Sequence, residues 1–209
     1  ADALDMANDM KKSGLDTYAA YLSGRDWTVY VKDASASAVE KAADENASRV
    51  SFEGVAITGG EAPVLVPEDA VMMGGNVADT FKLNSMPYRG MLTFSVNGSS
   101  MTGVNIIGLE EYLYGVVPSE MPKSYDAEAL KAQAVAARTY AMTKLGAHAG
   151  SGYQLCDTTA CQVYKGYSNE ADATTAAVDA TAGEVACYNG SPIEAVFSAS
   201  TGGYTESSE

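Results

Sequence analysis

The chain is poor in histidine, in cysteine and in positive charge, and each shortage narrows its chemistry. His148 is the single histidine among 209 residues. A mechanism that needs an imidazole base must therefore use it, and no metal site can draw two histidines from one chain. Thirteen Lys and Arg stand against 27 Asp and Glu, for a formal net charge of -14. Nucleic-acid binding requires a basic face that releases counterions, so DNA and RNA are not expected as partners. No apolar run approaches the roughly 18 residues of a membrane-spanning helix. The first residues form no basic, apolar leader, so a signal peptide or anchor, if one existed, is expected to have been removed already. Phosphate-cradling loops are missing too, because Gly202-Gly203 lies in Ser198-Ala199-Ser200-Thr201-Gly202-Gly203-Tyr204 with no P-loop lysine.

What is present supports a folded, acidic protein. An apolar fraction of 46% is enough to build a core. The acidity is spread over both halves, with 14 acidic side chains in residues 1–100 and 13 in residues 101–209, as suits a soluble protein outside a cell. Leu4, Met6, Met10, Leu15, Tyr18 and Leu22 recur near helical spacing and predict a short helix or two broken at Gly14. Strands are predicted at Trp27–Val31, Val50–Ile57 and Pro63–Val66, with a helix over Ala34–Ala47 capped by Asp33. That order suggests a small α/β module over residues 1–82, ending near Gly74-Gly75-Asn76. A hairpin is predicted over Met91–Ile107, turning at Asn97-Gly98. A short helix follows over Leu109–Val117 and breaks at Pro118-Ser119-Glu120-Met121-Pro122. Asp126–Leu145 is the strongest helix, with Asp126 as N-cap, Gly146 past its end, and a core stripe of Leu130, Ala134, Ala137, Ala141 and Leu145. Strands are predicted again at Val185–Tyr188 and Ile193–Ser198. The whole is an α+β chain of mixed helices and antiparallel strands.

Cys156 and Cys161, four residues apart in a polar loop, admit two readings. They form a short-loop disulfide, which an exported chain favours, or half of a zinc site completed from His148, Cys187 or a carboxylate. Cys187 alternates like a buried strand residue. His148 sits among Gly and Ala as an exposed loop residue, poorly held for a Ser/His triad.

Glu120 stands out by its setting between two prolines and beside Val116, Val117 and Met121. Apolar neighbours desolvate a carboxylate and favour its protonated form, which suits a proton donor. Lys131 and Arg138 are seven residues apart, so a helix puts them on one face about 10 Å apart, able to bind a polyhydroxylated or anionic substrate. A surface acid and two solvated cations would explain the same pattern.

Taken in order, these stretches resemble the stage II sporulation protein D family. They are Leu109 through Pro122, Ala129 through Ala141, Asp157 through Tyr164, and Phe197 through Glu206. The resemblance covers residues 83–209. It implies a lytic transglycosylase that cleaves peptidoglycan strands stripped of stem peptides, with Glu120 as the catalytic acid. Lys131 and Arg138 match the family's basic cleft positions, and the same motifs put Gln133, Tyr164, Ser198, Ser200, Gly202, Gly203 and Tyr204 at the substrate. It implies no required cofactor. Some relatives bind zinc in the Cys156–Cys161 loop, but Ala160 stands where they have histidine. It also implies glycan strands, a cell-wall amidase and other engulfment proteins as partners, and an extracytoplasmic place at the surface or septum of a spore-forming bacterium. The family's domain continues beyond Glu209, so the catalytic part is expected to be incomplete. Residues 1–82 faintly resemble glycan-binding SPOR modules. Two other functions stay open: a non-catalytic amidase enhancer and a zinc-stabilised structural module.

Overall fold

The structure is a computed structural model that describes residues 2–23, 26–31, 54–57, 64–67, 72–73, 80–97 and 100–204. The chain divides into two compact units, Ala1–Ala70 and Val71–Glu209. The fold class is α+β, with four α-helices and mostly antiparallel strand pairs among the described residues.

The first unit holds α1 (Asp2–Lys12) and strands β1 (Thr17–Ser23), β2 (Asp26–Val31), β3 (Gly54–Ile57) and β4 (Val64–Pro67). They form one sheet in the order β2-β1-β4-β3, with β1 and β4 parallel. Helix was expected to resume after Gly14, but Thr17–Ser23 is a strand. Gly14 stops α1 at φ +85°, and the Thr, Tyr and Leu that follow suit a pleated surface. Thr17 is buried and donates to the Ala7 carbonyl at 2.6 Å, which ties the strand to the helix. The predicted helix over 34–47, its Asp33 cap, residues 50–53 and Gly74-Gly75-Asn76 lie outside the described residues.

In the second unit β5 (Met72–Met73), β8 (Met91–Asn97) and β9 (Ser100–Ile106) form a sheet, and β6 (Phe81–Leu83) pairs with β7 (Met86–Tyr88). The β8–β9 register runs from Met91 opposite Ile106 to Asn97 opposite Ser100, which places the hairpin where it was expected; Gly98 lies outside the described residues. Three helices follow: α2 (Leu109–Glu120), α3 (Ala127–Lys144) and α4 (Asp172–Ala180). Asp126 caps α3 by accepting from the Glu128 N–H at 3.1 Å, and Gly146 turns the chain at φ +88°. The alanine stripe is buried at Leu130, Ala134, Ala137 and Ala141, whereas Leu145 is 60% exposed.

Pro118 does not end α2 as expected; the helix runs through it to Glu120. The Met121 N–H closes the last turn on the Val117 carbonyl at 3.0 Å, and the Ser119 hydroxyl donates to the Gly115 carbonyl at 2.6 Å. Pro118 has no N–H to give the Tyr114 carbonyl, and these two bonds hold the turn that contains it.

Leu113, Val116, Val117, Ala134, Ala137, Tyr164 and Val178 form the core where the helices meet. Each of the larger side chains contributes about 1.5–3 kcal/mol through burial. Gly115 permits the closest approach in this core, because a Cβ there would lie 2.6 Å from Tyr164 Cε2.

Arg138 crosses the same helix junction at 1% exposure. Its Nε and Nη2 donate to the two Glu110 oxygens at 2.8 and 2.6 Å. Further bonds reach the Glu184 carbonyl at 3.1 Å and the Val178 carbonyl at 3.3 Å. One guanidinium therefore joins α2, α3, α4 and the segment after α4. Its hydrogen bonds hold the Glu110 carboxyl below its ordinary value, despite some opposing desolvation.

Two outcomes follow for stability. Gly115→Ala gains about 1 kcal/mol of helix propensity but loses about 1–3 kcal/mol to the clash with Tyr164, so urea unfolding should show net destabilisation. Glu110→Gln leaves Arg138 buried without a counter-charge and should cost about 2–3 kcal/mol at neutral pH, somewhat less than for a fully buried pair. The Glu110 carboxyl is depressed in the folded state, so its contribution is present above its ordinary 4.5 and is lost as pH falls through the lower folded value. The gap between wild type and Glu110→Gln in urea midpoint should therefore narrow below pH 4.5.

Candidate functional site

Glu120 is the last residue of α2, where the helix meets the loop before α3. Its Oε1 accepts the Val163 backbone N–H at 2.6 Å, a bond spanning 43 residues. That N–H is aimed by the loop before Tyr164, which is built from within: Tyr164 N–H donates to the Asp157 carbonyl and Cys161 N–H to the Thr158 carbonyl, both at 3.1 Å. Gln162, 1% exposed, pins the loop to α3 by donating from Nε2 to the Ala137 carbonyl at 3.1 Å. Its Oε1 accepts from the Tyr112 hydroxyl at 3.3 Å. The carboxylate is thus held by a backbone dipole that is itself anchored in the helical core.

Glu120 lines a cavity of about 270 Å³ with Tyr140, Thr159, Cys161, Val196 and Phe197. Tyr140 and Phe197 meet edge to face with centroids 6.2 Å apart. Burial pushes the Tyr140 hydroxyl above its ordinary value. Lys144 pairs with Glu194 and lies 5.8 Å from the Tyr140 ring. One carboxylate, a phenol and two aromatic faces around a polar opening can donate a proton and stack against a flat apolar ligand face.

The other expected site residues are distributed differently. Arg138, expected at the substrate, is buried at 1% exposure and bonded to Glu110 and the helix junction. Lys131 is partly exposed on α3 and pairs with Glu128 at 2.7 Å, so the two cations do not act together. Shared helical face did not mean shared surroundings, because α3 is buried around Arg138 and open around Lys131. Gln133 is buried, and its Nε2 has no hydrogen-bond partner among the described residues. Tyr164 is a core residue, stacked near Tyr112 at 5.1 Å and donating from its hydroxyl to Asn105 at 3.0 Å. Ser198, Ser200, Gly202, Gly203 and Tyr204 form an exposed turn; Ser198 donates to the Ser200 carbonyl at 3.4 Å, and Tyr204 is 87% exposed. This segment reaches the cavity through Val196 and Phe197, which precede it. Thr205 and Glu206 lie outside the described residues. No strand forms at Ile193–Ser198, and Cys187 is exposed in β10 (Cys187–Tyr188), which pairs with β11 (Ser191–Pro192). Tyr140, Val163 and Phe197 carry no motif of their own; the signal that could have found them is their place inside the stretches that carry the family resemblance.

The cysteine loop also corrects the first expectation. Cys156 and Cys161 are free thiols, not a disulfide. His148, expected to be an exposed loop residue, is half-buried, stacks on Tyr153 at 5.0 Å and places Nε2 3.2 Å from Cys161 Sγ. Thr158 pulls the Cys156 thiol below its ordinary value by hydrogen bonding, while burial pushes the Cys161 thiol up. The donor atoms of His148, Cys156 and Cys161 lie within 4.8 Å of one another. One imidazole and two sulfurs are donors suited to zinc, so these residues fit such an ion. Among the described residues no fourth His, Cys, Asp or Glu joins them.

The comparisons with known proteins fall on this same region. The family described as stage II sporulation protein matches residues 97–188. A stage II sporulation protein D of Bacillus subtilis is 41% identical over 121 residues, covering 51% of this chain and 35% of that protein. The amidase enhancer of Bacillus subtilis is 55% identical over 96 residues, covering 46% of this chain and 13% of that protein. An uncharacterised protein of Brachyspira hyodysenteriae is 37% identical over 187 residues, 88% of this chain, so that likeness extends into the first unit. The chain spans 51% of the length of that relative. Residues 97–188, which carry Glu120, the cavity residues Tyr140, Thr159 and Cys161 and the buried helix junction, thus match the stage II sporulation protein family.

Proposed function

We propose that this chain is the glycan-cleaving part of a cell-wall protein of sporulation, a lytic transglycosylase with Glu120 as its acid. The observation that supports this is the Glu120 carboxylate, held at 2.6 Å by the Val163 N–H on the wall of an aromatic cavity. A proton donor must be positioned before its acidity matters, and the Val163 N–H positions this one.

In the reaction, Glu120 gives its proton to the glycosidic oxygen between MurNAc and GlcNAc as that bond breaks. The leaving sugar departs with a hydroxyl. The muramoyl 6-hydroxyl attacks its own anomeric carbon, and the Glu120 carboxylate takes the proton that this hydroxyl loses. The product is a 1,6-anhydromuramoyl end, and Glu120 is returned to its acid form. The nucleophile belongs to the substrate, so neither a second carboxylate nor an enzyme nucleophile is needed. Tyr140 and Phe197 offer flat apolar faces to the sugar rings beside the acid. A zinc-class ion held by His148, Cys156 and Cys161 would supply a cross-link that braces the loop carrying Val163.

In this proposal the substrate is peptidoglycan glycan freed of stem peptides, and the setting is outside the cytoplasm, in a secreted or membrane-anchored protein. A cell-wall amidase that removes stem peptides is the natural partner. The 55% identity to a protein named amidase enhancer favours a second reading, in which the cavity binds glycan without cleaving it and modulates that amidase.

Incubating the chain with denuded glycan strands and analysing the products by mass spectrometry separates the two. Cleavage predicts 1,6-anhydromuramoyl ends, and Glu120→Gln should lower their rate of appearance by roughly 10²–10⁴-fold, the usual worth of a positioned acid–base group. Unchanged product formation in Glu120→Gln would remove Glu120 from the chemistry. Binding without anhydro ends would favour the enhancer.

A further inference from the structure

We propose that Lys144 is the specificity-determining cation of the Glu120 cavity. It takes the carboxylate of an anionic glycan in exchange for its own partner Glu194, and so selects muramoyl units whose lactyl group ends in a free acid. This deepens the cleavage proposal and rests on its reading that the cavity holds peptidoglycan glycan.

Three observations lead to this. First, the Lys144–Glu194 pair spans the cavity rim. Lys144 follows Tyr140 by one turn of α3, and its Nζ lies 5.8 Å from the centroid of the Tyr140 ring. Glu194 stands two residues before Val196 and three before Phe197. Tyr140, Val196 and Phe197 all line the cavity with Glu120. The ion pair therefore joins the α3 wall to the wall formed by residues 196 and 197. Burial raises the Cys161 thiol on the same cavity, and the charge of Lys144 opposes that rise, so the ammonium is felt inside.

Second, the pair is exchangeable and its cation is placed where the others are not. The Lys144 side chain is 35% exposed and that of Glu194 55%. Water reaches such a pair, which holds weakly and gives up one carboxylate for another at little cost. Among the described residues the cavity lining holds no Lys or Arg. Lys131 is bonded to Glu128, and Arg138 is buried against Glu110.

Third, an anionic glycan needs a local cation here. The chain carries a formal net charge of -14, and Glu120 adds a carboxyl inside the cavity, so the general field repels an acid. A muramoyl unit carries a lactyl ether whose carboxyl is an amide to the first stem residue. Hydrolysis adds water across that C–N bond and leaves a carboxylate on the glycan and an amine on the peptide. An ammonium bonds a carboxylate about twice as strongly as it bonds a neutral amide carbonyl. The rim thus distinguishes glycan that has lost its stem peptides from glycan that keeps them.

The test measures binding by calorimetry to the Glu120→Gln chain, used to hold the probes intact. The probes are a GlcNAc–MurNAc tetrasaccharide with free lactyl carboxylates and the same glycan with those carboxyls converted to methylamides. The acid should bind about fivefold more tightly than the amide. Adding Lys144→Gln should abolish that preference while the amide binds as before. Adding Glu194→Gln instead, which removes the competing carboxylate, should widen it. Equal affinity for the two probes, no binding of either, or a preference that survives Lys144→Gln would overturn the proposal. Formation of 1,6-anhydromuramoyl ends is scored separately with Glu120 intact. Cleavage without the acid preference removes this proposal alone, and the preference without cleavage supports it while removing the cleavage reading.

Discussion

The second unit depends on one buried guanidinium. Arg138 is taken out of water at 1% exposure, and a buried charge of that kind persists only when paired and hydrogen-bonded. Glu110 supplies the pairing from α2, and the carbonyls of Val178 and Glu184 supply the rest from α4 and beyond. Such a pair adds little net stability over an apolar filling, but it admits one arrangement of the three helices and penalises others. Alanines at 134, 137 and 141 then let α3 approach its neighbours closely. At the residue before Arg138, the Ala137 carbonyl receives Gln162, and Gln162 carries the loop whose Val163 N–H meets Glu120. The position of the acid is therefore a consequence of the helix junction.

The parts legible in the sequence were those with a local cause. Asp126 and Gly146 bracket α3 because an N-cap and a left-handed turn act within one helical turn. The β8–β9 hairpin follows from the alternation of its strands and the Asn97-Gly98 pair in the sequence between them. Glu120 could be singled out from the prolines and apolar residues beside it in sequence, although the residues it meets in space, Tyr140, Val163 and Phe197, lie far along the chain. What could not be read was which environment each helical face meets. Arg138 and Lys131 share spacing and charge, yet one is the centre of the core and the other pairs at the surface with Glu128. Tyr164 carries a motif signal because the core needs it: its ring fills the space that Gly115 leaves. Pro118 misled through its usual role as a helix breaker, since Ser119 and Met121 keep the last turn bonded to the Gly115 and Val117 carbonyls. The link from His148 to Cys161 spans 13 residues of turns and a short 3₁₀ segment, whose path no periodicity records.

The site joins two kinds of chemistry across one side chain. Cys161 faces Glu120 in the cavity and His148 in the thiol cluster, while the loop that carries it also delivers Val163. Scarcity of histidine, which first read as a restriction, is compatible with both: a substrate-borne nucleophile needs no imidazole, and a thiolate-rich metal site needs only one.

The central claim is that Glu120 faces the bond to be broken. A crystal structure of the Glu120→Gln chain with a short denuded glycan tests it most directly. The account predicts sugar rings against Tyr140 and Phe197, with the side-chain amide of the substituted residue about 2.6–3.2 Å from a MurNAc–GlcNAc glycosidic oxygen. Glycan bound on another face, with the cavity empty, would contradict it.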